Sequence, residues 1–478
     1  MPPPPFLPLS ALSLELDAFV AATASMHAGF ADSRVAFECS LPPMGDDVGF
    51  LVLGGLEPLL DALERLRLKA DELTWLEALG AIDGPAKRRL ADMRFGCDVD
   101  AAPEGSIVFP GEPVLMIEGT FWQAQLVGAM IRSSLSYATL TSTRAARAVI
   151  AAEGCEVIEG SAASAHRSGG NPLVARAAFV GGAQATTSAL AARRYGIPVR
   201  ASLPLRFAQA AEPASSGFDA WLLASQGRAI LRIDPHEPVA SIAAVIAAVQ
   251  KRTDPSRWTD AEVAVEIDGG DHIEIARMVG RAFREAGLAE PAIVASGDLD
   301  EHRIAQLRRH KAPISAFVVT SFGVDDGWLA RYDMSAFESG GQWSPRFRKG
   351  VSVADSSDPG RKVVVRYVDG DGQLLGDVAH ATGERVQSPR EVHFVDRTTG
   401  FPGSIRTAHS SAPLLTNVMR AGKRVSSIEQ TREIRARVAQ GLASLPERYR
   451  RLRAPARYPV GLSPALASIK GELVGRAS

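Results

Sequence analysis

The middle of the chain alternates short apolar runs with amphipathic stretches whose apolar residues recur at helical spacing. The apolar runs predict strands at 156–158, 198–202, 229–233, 263–267, 292–295 and 316–320, and the amphipathic stretches predict helices at 239–251, 272–286 and 300–310. In the first of these helices, Ile242, Val245 and Val249 lie on one face. Strands that alternate with helices are typical of a parallel sheet, which we expect here to close into a barrel.

The two ends of the chain have a different pattern. Before the barrel, the sequence predicts helices at 13–27, 56–66 and 120–133, a strand at 35–38, and two short strands within 107–117. After Trp328 the pattern is β-rich, with a hairpin formed by 362–368 and 373–378. A last helix is predicted to begin near Ser427, which together with Gln430 fits a capping box. These changes divide the chain into a loose leader at 1–12, an N-terminal α/β domain at 13–134, a barrel at 135–345 and a C-terminal part at 346–478.

Composition excludes several classes of function. The 53 Lys and Arg residues balance 54 Asp and Glu residues, so nothing indicates an anionic polymer partner such as nucleic acid. The longest uncharged run, 177–192, is shorter than the roughly 20 apolar residues that a membrane span needs. The three cysteines are far apart, which argues against a disulfide framework and a zinc site and favours a reducing compartment. We therefore expect a cytoplasmic protein that binds a small-molecule ligand.

Acidic residues and glycines follow two neighbouring predicted strands, and in a parallel barrel such strand ends form the ligand site. Glu266, Asp268 and Asp271 belong to the first segment, and Ser296 and Asp298 belong to the second. Glycines at these turns let backbone N–H groups approach a ligand, and carboxylates there can bind a sugar hydroxyl or a hydrated metal ion. The alternative is helix capping by Asp271 and by Asp300 at the start of the next helix.

The same two segments resemble motifs of the nicotinate phosphoribosyltransferase family. Residues 295–304, with the sequence ASGDLDEHRI, resemble the family's S-G-D-L-D-E-x-x-I element, and 267–271 resemble its D-S-G-D element. Thr143-Arg144-Ala145-Ala146-Arg147 resembles the end of its T-L-x-x-T-K-A-A-R helix. Further similar segments occur in the family's order at 108–113, 175–190, 359–362 and 458–464. The resemblance therefore extends over nearly the whole chain.

This resemblance implies a fold, a reaction and an assembly. The fold is an irregular phosphoribosyltransferase-type α/β barrel, with an α/β domain in which the C-terminal part packs with the N-terminal domain. In the reaction, nicotinate attacks C1 of phosphoribosyl pyrophosphate, pyrophosphate leaves, and nicotinate mononucleotide forms for NAD salvage. ATP hydrolysis is coupled through a phosphorylated histidine. The assembly is a homodimer.

The sequence departs from the family at five functional elements. Leu205 stands at the position of the phosphorylated histidine, and Glu266 stands at that of the arginine before D-S-G-D. In the G-V-G-T turn, Gly323 is kept, but Asp325 and Asp326 replace the second glycine and the threonine. The two remaining departures place Ala163 and Ser164 at a pair of arginines and Asp17 at an aromatic residue.

These replacements predict altered chemistry. Each lost charge-assisted hydrogen bond is worth roughly 1.5–3 kcal/mol, and inward-facing carboxylates repel phosphate. We therefore expect an acidic barrel mouth and weak or absent formation of nicotinate mononucleotide. Leucine cannot accept a phosphoryl group, so coupling to ATP is not expected. No cofactor is firmly predicted, although Asp268, Asp271 and Asp298 could bind Mg²⁺.

Other side chains are candidate ligand contacts, each with a plainer alternative. His166 could bind an anion or lie in a surface loop, and Arg206 could bind an anion or cap a strand end. His236 could be catalytic or be a turn residue, and His272 could line the mouth. The candidate substrate-binding set is Arg144, His166, Arg206, Glu266, Asp268, Asp271, Ser296, Asp298, Gly323 and Asp325.

Two functions remain open at the level of the sequence. The first is a nicotinate phosphoribosyltransferase that works in pyridine-nucleotide salvage, for which Leu205 favours a reaction without ATP coupling. The second is a non-catalytic or repurposed relative that regulates a partner protein or binds a cationic or neutral ligand. The framework motifs favour the first, and the five replacements favour the second.

Overall fold

A computed structural model describes residues 11–160, 171–225, 229–251, 263–323, 327–351, 356–386 and 391–476. The chain forms two compact units. One unit combines Met1–Leu140 with Asp326–Ser478, and the other is Thr141–Asp325. Within the described residues, no helix combines the length and apolar character needed to cross a bilayer.

The N-terminal segment contains mixed helices and strands, with a 3₁₀ turn at Ala11–Ser13 before the first helix. Its helices are α1 Leu16–His27, α2 Leu56–Arg65, α3 Ala70–Ala78, α4 Gly84–Ala91, α5 Phe121–Leu126 and α6 Gly128–Ala152, and its strands are β1 Arg34–Ser40, β2 Leu51–Val52, β3 Asp98–Ala101, β4 Ile107–Val108 and β5 Pro113–Thr120.

The middle segment alternates strands with helices. Its strands are β6 Glu156–Glu159, β7 Ala185–Thr186, β8 Ala229–Ile233, β9 Val263–Asp268, β10 Ala292–Ser296 and β11 Ala316–Val319, and its helices are α7 Asn171–Val180, α8 Ala189–Tyr195, α9 Leu205–Gln209, α10 Ala214–Ala224, α11 Pro238–Lys251, α12 His272–Glu285 and α13 Glu301–Arg309.

The C-terminal segment is mainly β. Its strands are β12 Arg331–Ser339, β13 Gln342–Pro345, β14 Lys362–Val368, β15 Leu374–Ala381, β16 Glu391–Asp396, β17 Pro402–Arg406, β18 Ser410–Pro413, β19 Thr416–Arg420, β20 Lys423–Arg424 and β21 Val460–Leu462, and its helices are α14 Thr431–Ala443, α15 Glu447–Arg450 and α16 Pro464–Arg476.

The unit Thr141–Asp325 is an irregular parallel barrel. Its strands pair in the order β7-β6-β11-β10-β9-β8, and every pairing is parallel. The segment between β7 and β8 joins the two edges, because Thr186 forms a parallel bridge with Val199, and Ser202 forms one with Ile230. The barrel interior is apolar, with Ile158, Ile230, Val294 and Val318 among its buried residues. The predicted α/β barrel is confirmed.

The other unit combines both chain ends around two sheets. One sheet has the order β13-β12-β1-β5-β3-β19-β20 and the other has the order β17-β16-β21-β15-β14-β18. Strand β12 pairs antiparallel with β1 in this unit, although the sequence-based bounds placed its residues in the barrel segment. The reason is that β12 completes a sheet whose other strands are distant in sequence, which local pattern does not reveal.

Two predicted helices differ from those observed. The helix expected at 120–133 is divided at Val127 into α5 and the longer α6. The last predicted helix begins at Thr431 rather than near Ser427, because the carboxylate of Glu433 accepts a hydrogen bond of 2.8 Å from the N–H of Gln430. The capping box therefore consists of Gln430 and Glu433, three residues further along the chain than expected.

Candidate active site at the barrel mouth

The turns that follow β9 and β10 pack directly against each other. Gly269 and Gly297 have positive φ angles of 89° and 81°, which favour glycine. The N–H of Gly269 donates a hydrogen bond of 3.1 Å to the carbonyl of Ser296. A Cβ atom on Gly297 would lie 2.7 Å from Oδ1 of Asp268, so only glycine fits there. The two acidic segments found in the sequence thus form one site at the carboxyl ends of the strands.

Two of the acidic residues cap helices. Oδ1 of Asp271 accepts hydrogen bonds from the N–H groups of Ile273 and Glu274 at 3.0 and 3.1 Å, and α12 begins there. Asp300 caps α13 in the same way through the N–H of Arg303 at 2.7 Å. The hydrogen bond from the N–H of Glu274 is the main cause that lowers the pKa of Asp271. The capping alternative is therefore correct for both residues.

Glu266 faces the barrel interior and is paired with an arginine. Its side chain is 0% exposed, and it lies on the same face of β9 as Ala264, which packs against the interior apolar cluster. Nη2 of Arg232, on β8, lies 2.7 Å from Oε1 of Glu266, and Ser296 Oγ donates a hydrogen bond of 2.6 Å to the same oxygen. Nη1 of Arg232 donates a hydrogen bond of 3.1 Å to Asp268.

The expectation that Glu266 would be an unpaired, phosphate-repelling carboxylate is only partly correct. Glu266 does face inward as predicted, but it is paired with Arg232 and is therefore not an isolated carboxylate. Arg232 is shared with Asp268, so the three side chains together bring one guanidinium group and two carboxylates to this site and keep an excess of one carboxylate. Among the described residues, Oε2 of Glu266 and Nε of Arg232 are buried without a hydrogen-bond partner.

His272 is buried between the same two turns. Its Nε2 lies 2.8 Å from the carbonyl oxygen of Ser296, which makes Nε2 the donor. Its Nδ1 is buried without a hydrogen-bond partner among the described residues. His272 therefore braces the turn after β10 rather than pointing freely into solvent.

Helix α6 passes beside the loops at the same end of the barrel. Oγ1 of Thr141 donates a hydrogen bond of 3.3 Å to the carbonyl of Phe322, which follows β11. Nε of Arg147 donates one of 2.8 Å to Glu301, at the start of α13. Arg144 lies one turn before Arg147 and is half-buried. The helix that resembles the family's T-K-A-A-R element is thus fixed to the start of α13 by Arg147.

The segment that replaces the phosphorylated-histidine element closes the barrel. Leu205 begins the short helix α9 and is half-buried, and Arg206 beside it is exposed. Leu203, just before them, donates a backbone hydrogen bond of 2.9 Å to Ile230. Leu205 therefore stands next to the strand that carries Arg232, but it offers no atom that could accept a phosphoryl group.

The remaining candidate site residues differ in how exposed they are. Gly323 is buried after β11, and Asp298 is exposed with a φ of 40°, a conformation that Asp adopts more readily than most residues. His236 is exposed in a turn, where its N–H bonds to Asp234 at 2.9 Å. His166 and Asp325, like Ala163, Ser164 and Asp326, lie outside the described residues.

The three aspartates that could bind Mg²⁺ do not form one cluster of metal ligands. Within the parts of the chain that the structure describes, no group of three or more His, Cys, Asp or Glu side chains could hold a metal ion. The carboxylate of Asp271 caps α12, and that of Asp268 accepts from Arg232. Asp298 stays exposed. The three aspartates therefore follow neighbouring strands without converging on one point.

Comparison with known proteins agrees with this geometry. The N-terminal domain model of nicotinate phosphoribosyltransferase matches residues 16–136, and the C-terminal domain model of the same enzyme matches residues 361–470. A nicotinate phosphoribosyltransferase of Mycobacterium tuberculosis is 30% identical over 420 residues, which cover 87% of this chain and 83% of the relative. The chain belongs to the nicotinate phosphoribosyltransferase family.

Other members show the same extent of similarity. The nicotinate phosphoribosyltransferase of Bacillus subtilis is 25% identical over 444 residues, covering 91% of this chain and 89% of the relative. The crystal structure of human nicotinic acid phosphoribosyltransferase superposes with a TM-score of 0.82 at 23% identity, covering 96% of this chain and 99% of that one. The human structure supports the fold, which this nicotinate phosphoribosyltransferase family member shares over nearly its full length.

Arg232 is the site residue that sequence reasoning missed. A usable signal was present, because Arg232-Ile233-Asp234 and Glu266-Ile267-Asp268 end two consecutive strands with the same pattern. Aligning the two Ile-Asp pairs sets Arg232 opposite Glu266, which is the observed register. This nicotinate phosphoribosyltransferase family member thus lacks an arginine at position 266 but has Arg232 directly opposite on the neighbouring strand.

Proposed function

We propose that this protein transfers the phosphoribosyl group of phosphoribosyl pyrophosphate to a pyridine base, with nicotinate as the family's acceptor, in NAD salvage. The ring nitrogen of the base attacks C1 of the sugar, the C1–O bond breaks, and pyrophosphate leaves. The observation that carries this proposal is the match to the Mycobacterium tuberculosis relative over 87% of the chain. Nothing in the comparisons favours the alternative of a non-catalytic relative.

The barrel mouth supplies groups suited to this reaction. Arg147 on α6 is buried and donates to Glu301 after β10, which fixes the helix beside this loop. Arg144, one turn earlier on α6, is half-buried, and its guanidinium group can bind phosphate oxygens. The tight turns at Gly269 and Gly297 let backbone approach a ligand. Asp298 projects from the second turn into solvent, where a sugar hydroxyl can donate to its carboxylate.

The proposed reaction proceeds without a phosphorylated histidine, because Leu205 occupies that position. We further propose a cytoplasmic homodimer. The reducing compartment is supported by three free cysteines, two of which are buried, and the homodimer by the family resemblance. Light scattering coupled to size exclusion tests the homodimer, and a monomer at micromolar concentration would contradict it.

The test is a direct assay of the purified chain with phosphoribosyl pyrophosphate, Mg²⁺ and each pyridine base. We expect mononucleotide and pyrophosphate in equal amounts, detected by chromatography. Arg144→Ala and Asp298→Asn should each lower kcat/KM at least tenfold, whereas Arg284→Ala, in an exposed ion pair with Glu290, should not. The proposal fails if no base yields a nucleotide while the folded protein is stable.

A further inference from the structure

Arg232, Glu266 and Asp268 form a charged cluster at the barrel mouth, and its exposed part offers one hydrogen-bond donor group beside one acceptor group. Side chains of Arg232 and Asp268 are 27% and 40% exposed, while that of Glu266 is fully buried behind them. A ligand at the mouth therefore meets a guanidinium donor and a carboxylate acceptor whose nearest atoms lie 3.1 Å apart. Glu266 holds the guanidinium through Oε1 and adds a second negative charge beneath it.

Two buried atoms of this cluster have no hydrogen-bond partner among the described residues. These atoms are Oε2 of Glu266 and Nε of Arg232. Buried polar groups in folded proteins are almost always hydrogen-bonded, so a ligand or a water molecule is expected beside the pair.

The charge of the cluster distinguishes between two kinds of pyridine base. A carboxylate substituent has only acceptor atoms and meets two carboxylates against one guanidinium. A carboxamide has a carbonyl acceptor for Arg232 and an N–H donor for Asp268, and it carries no charge. Glutamate at position 266, where the family motif has arginine, thus makes the cluster less favourable for an anion.

We propose that the cluster of Arg232, Glu266 and Asp268 makes the mouth select a pyridine base with a neutral carboxamide over one with a carboxylate. This inference rests on the proposed phosphoribosyl transfer and names its acceptor class. Arg232 and Asp268 contact the carboxamide. Glu266 is a positioning residue, which fixes the guanidinium and sets the negative charge that disfavours a carboxylate.

The experiment is a competition between equal concentrations of nicotinamide and nicotinate, with phosphoribosyl pyrophosphate and Mg²⁺. The two mononucleotides are separated by chromatography, and their ratio gives the ratio of kcat/KM values. For the wild-type chain we expect the amide product to exceed the acid product at least tenfold. Glu266→Gln should shift the product ratio at least tenfold toward the acid product. Asp268, whose side chain is partly exposed, should give a shift in the same direction when it is replaced in Asp268→Asn.

Glu290→Gln is the matched control. It removes one carboxylate that is paired with an arginine, but Glu290 precedes β10 and so lies at the opposite end of the barrel from the mouth. Its product ratio should equal that of the wild type, since a remote charge does not act on the base. Thermal-shift titrations with each base in the presence of phosphoribosyl pyrophosphate provide a second readout for a variant of low activity.

The outcomes separate this inference from the proposed function. A wild-type preference for nicotinate that Glu266→Gln leaves unchanged would overturn the selectivity but keep the phosphoribosyl transfer. If Glu266→Gln changes the stability but not the product ratio, the unsatisfied atoms bind water and not the base, and the selectivity is again overturned. Formation of neither nucleotide, without binding of either base, would overturn both.

Discussion

The carboxylate of Glu266 is tolerated inside the barrel because the guanidinium of Arg232 lies directly opposite it on β8. The two residues are Cα partners in the parallel register, and their charged atoms are 2.7 Å apart. Ser296 adds a hydrogen bond to the same carboxylate oxygen. A buried carboxylate without such partners would carry a large desolvation penalty. The pair therefore stabilises the barrel and also forms part of its mouth.

Removing the guanidinium should destabilise the protein. Arg232→Met leaves Glu266 buried without its cation, and we expect a loss of about 2–4 kcal/mol in the free energy of unfolding, since Arg232 is partly exposed. Urea denaturation measures it. Arg232→Met combined with Glu266→Gln should recover part of the loss, while Arg284→Met in an exposed pair should change stability by about 0.5 kcal/mol or less. Equal losses in Arg232→Met and Arg284→Met would contradict this account.

A second residue-scale prediction concerns Leu205, which has no nucleophilic atom. We expect ATP to leave the rate of nucleotide formation unchanged, because no histidine at this position can carry a phosphoryl group. The measurement is the initial rate with and without ATP, together with incubation with γ-³²P-labelled ATP. Acid-labile labelling of the protein, or a several-fold increase in rate, would show that another residue performs the coupling.

At the scale of elements, the turn after β9 has two roles that the sequence left as alternatives. Asp271 caps α12, while the preceding glycines pack against the turn after β10. The cap sets where α12 begins and thereby helps to place His272, whose Nε2 braces the neighbouring turn. A capping residue can thus shape a ligand site without touching the ligand.

Loss of this cap should be measurable. Asp271→Ala should lower the free energy of unfolding by about 1 kcal/mol, and Asp271→Asn should have a smaller effect because its side-chain oxygen can still accept. The pKa of Asp271 is lowered in the folded state, mainly by the N–H of Glu274, so its contribution is present above the unfolded pKa and is lost as pH falls through the folded pKa. Thermal melts between neutral and acidic pH should therefore show a smaller difference between wild type and Asp271→Ala in acid.

At the scale of the whole molecule, a buried charge cluster connects distant parts of the chain within the unit formed by both ends. Asp358 accepts hydrogen bonds of 2.7 Å from both Arg397 and Lys470, and Lys362 contacts Glu38. These residues come from β1, β14 and α16 and from the segments beside them. Because β1 and β14 belong to different sheets, the cluster connects the two sheets of the unit.

The pKa of Asp358 is about 2 in this cluster. Burial by itself raises this pKa, but the positive charges of Arg397, Lys470 and Lys362 lower it by a larger amount. A carboxyl with a depressed pKa stabilises the folded state above its unfolded pKa, and that contribution is lost as pH falls through the folded value. Asp358 therefore loses its stabilising effect between roughly pH 4 and pH 2.

Asp358→Asn tests this role. The substitution leaves three buried cations facing one carboxylate, so we expect a loss of about 3–5 kcal/mol near neutral pH. The difference in stability from the wild type should shrink below about pH 4, because the wild-type carboxyl is then being protonated. Denaturant titrations over this range measure both effects. A loss that stays constant down to pH 2 would assign the effect to packing instead.

The sequence predicted most elements of the barrel but not the manner of its closure. Strands β8 to β11 and helices α11 to α13 lie within one or two residues of their expected bounds, because periodicity and caps are local signals. The segment 198–202 was expected to be a strand, yet it forms only isolated bridges with β7 and β8. Pro198 is its first residue and Pro204 follows shortly after it, and neither proline has the N–H group that a longer regular ladder would need.

The candidate site shows the same division. The sequence by itself determined the family, the alternation of strands and helices, and the acidic turns that follow two neighbouring strands. Only the tertiary structure decided that Arg232 pairs with Glu266, that Asp271 caps a helix, and that three aspartates do not converge on a metal. The physical reason is that periodicity and capping depend on residues close in sequence, whereas the charge of a buried carboxylate depends on whichever strand lies beside it.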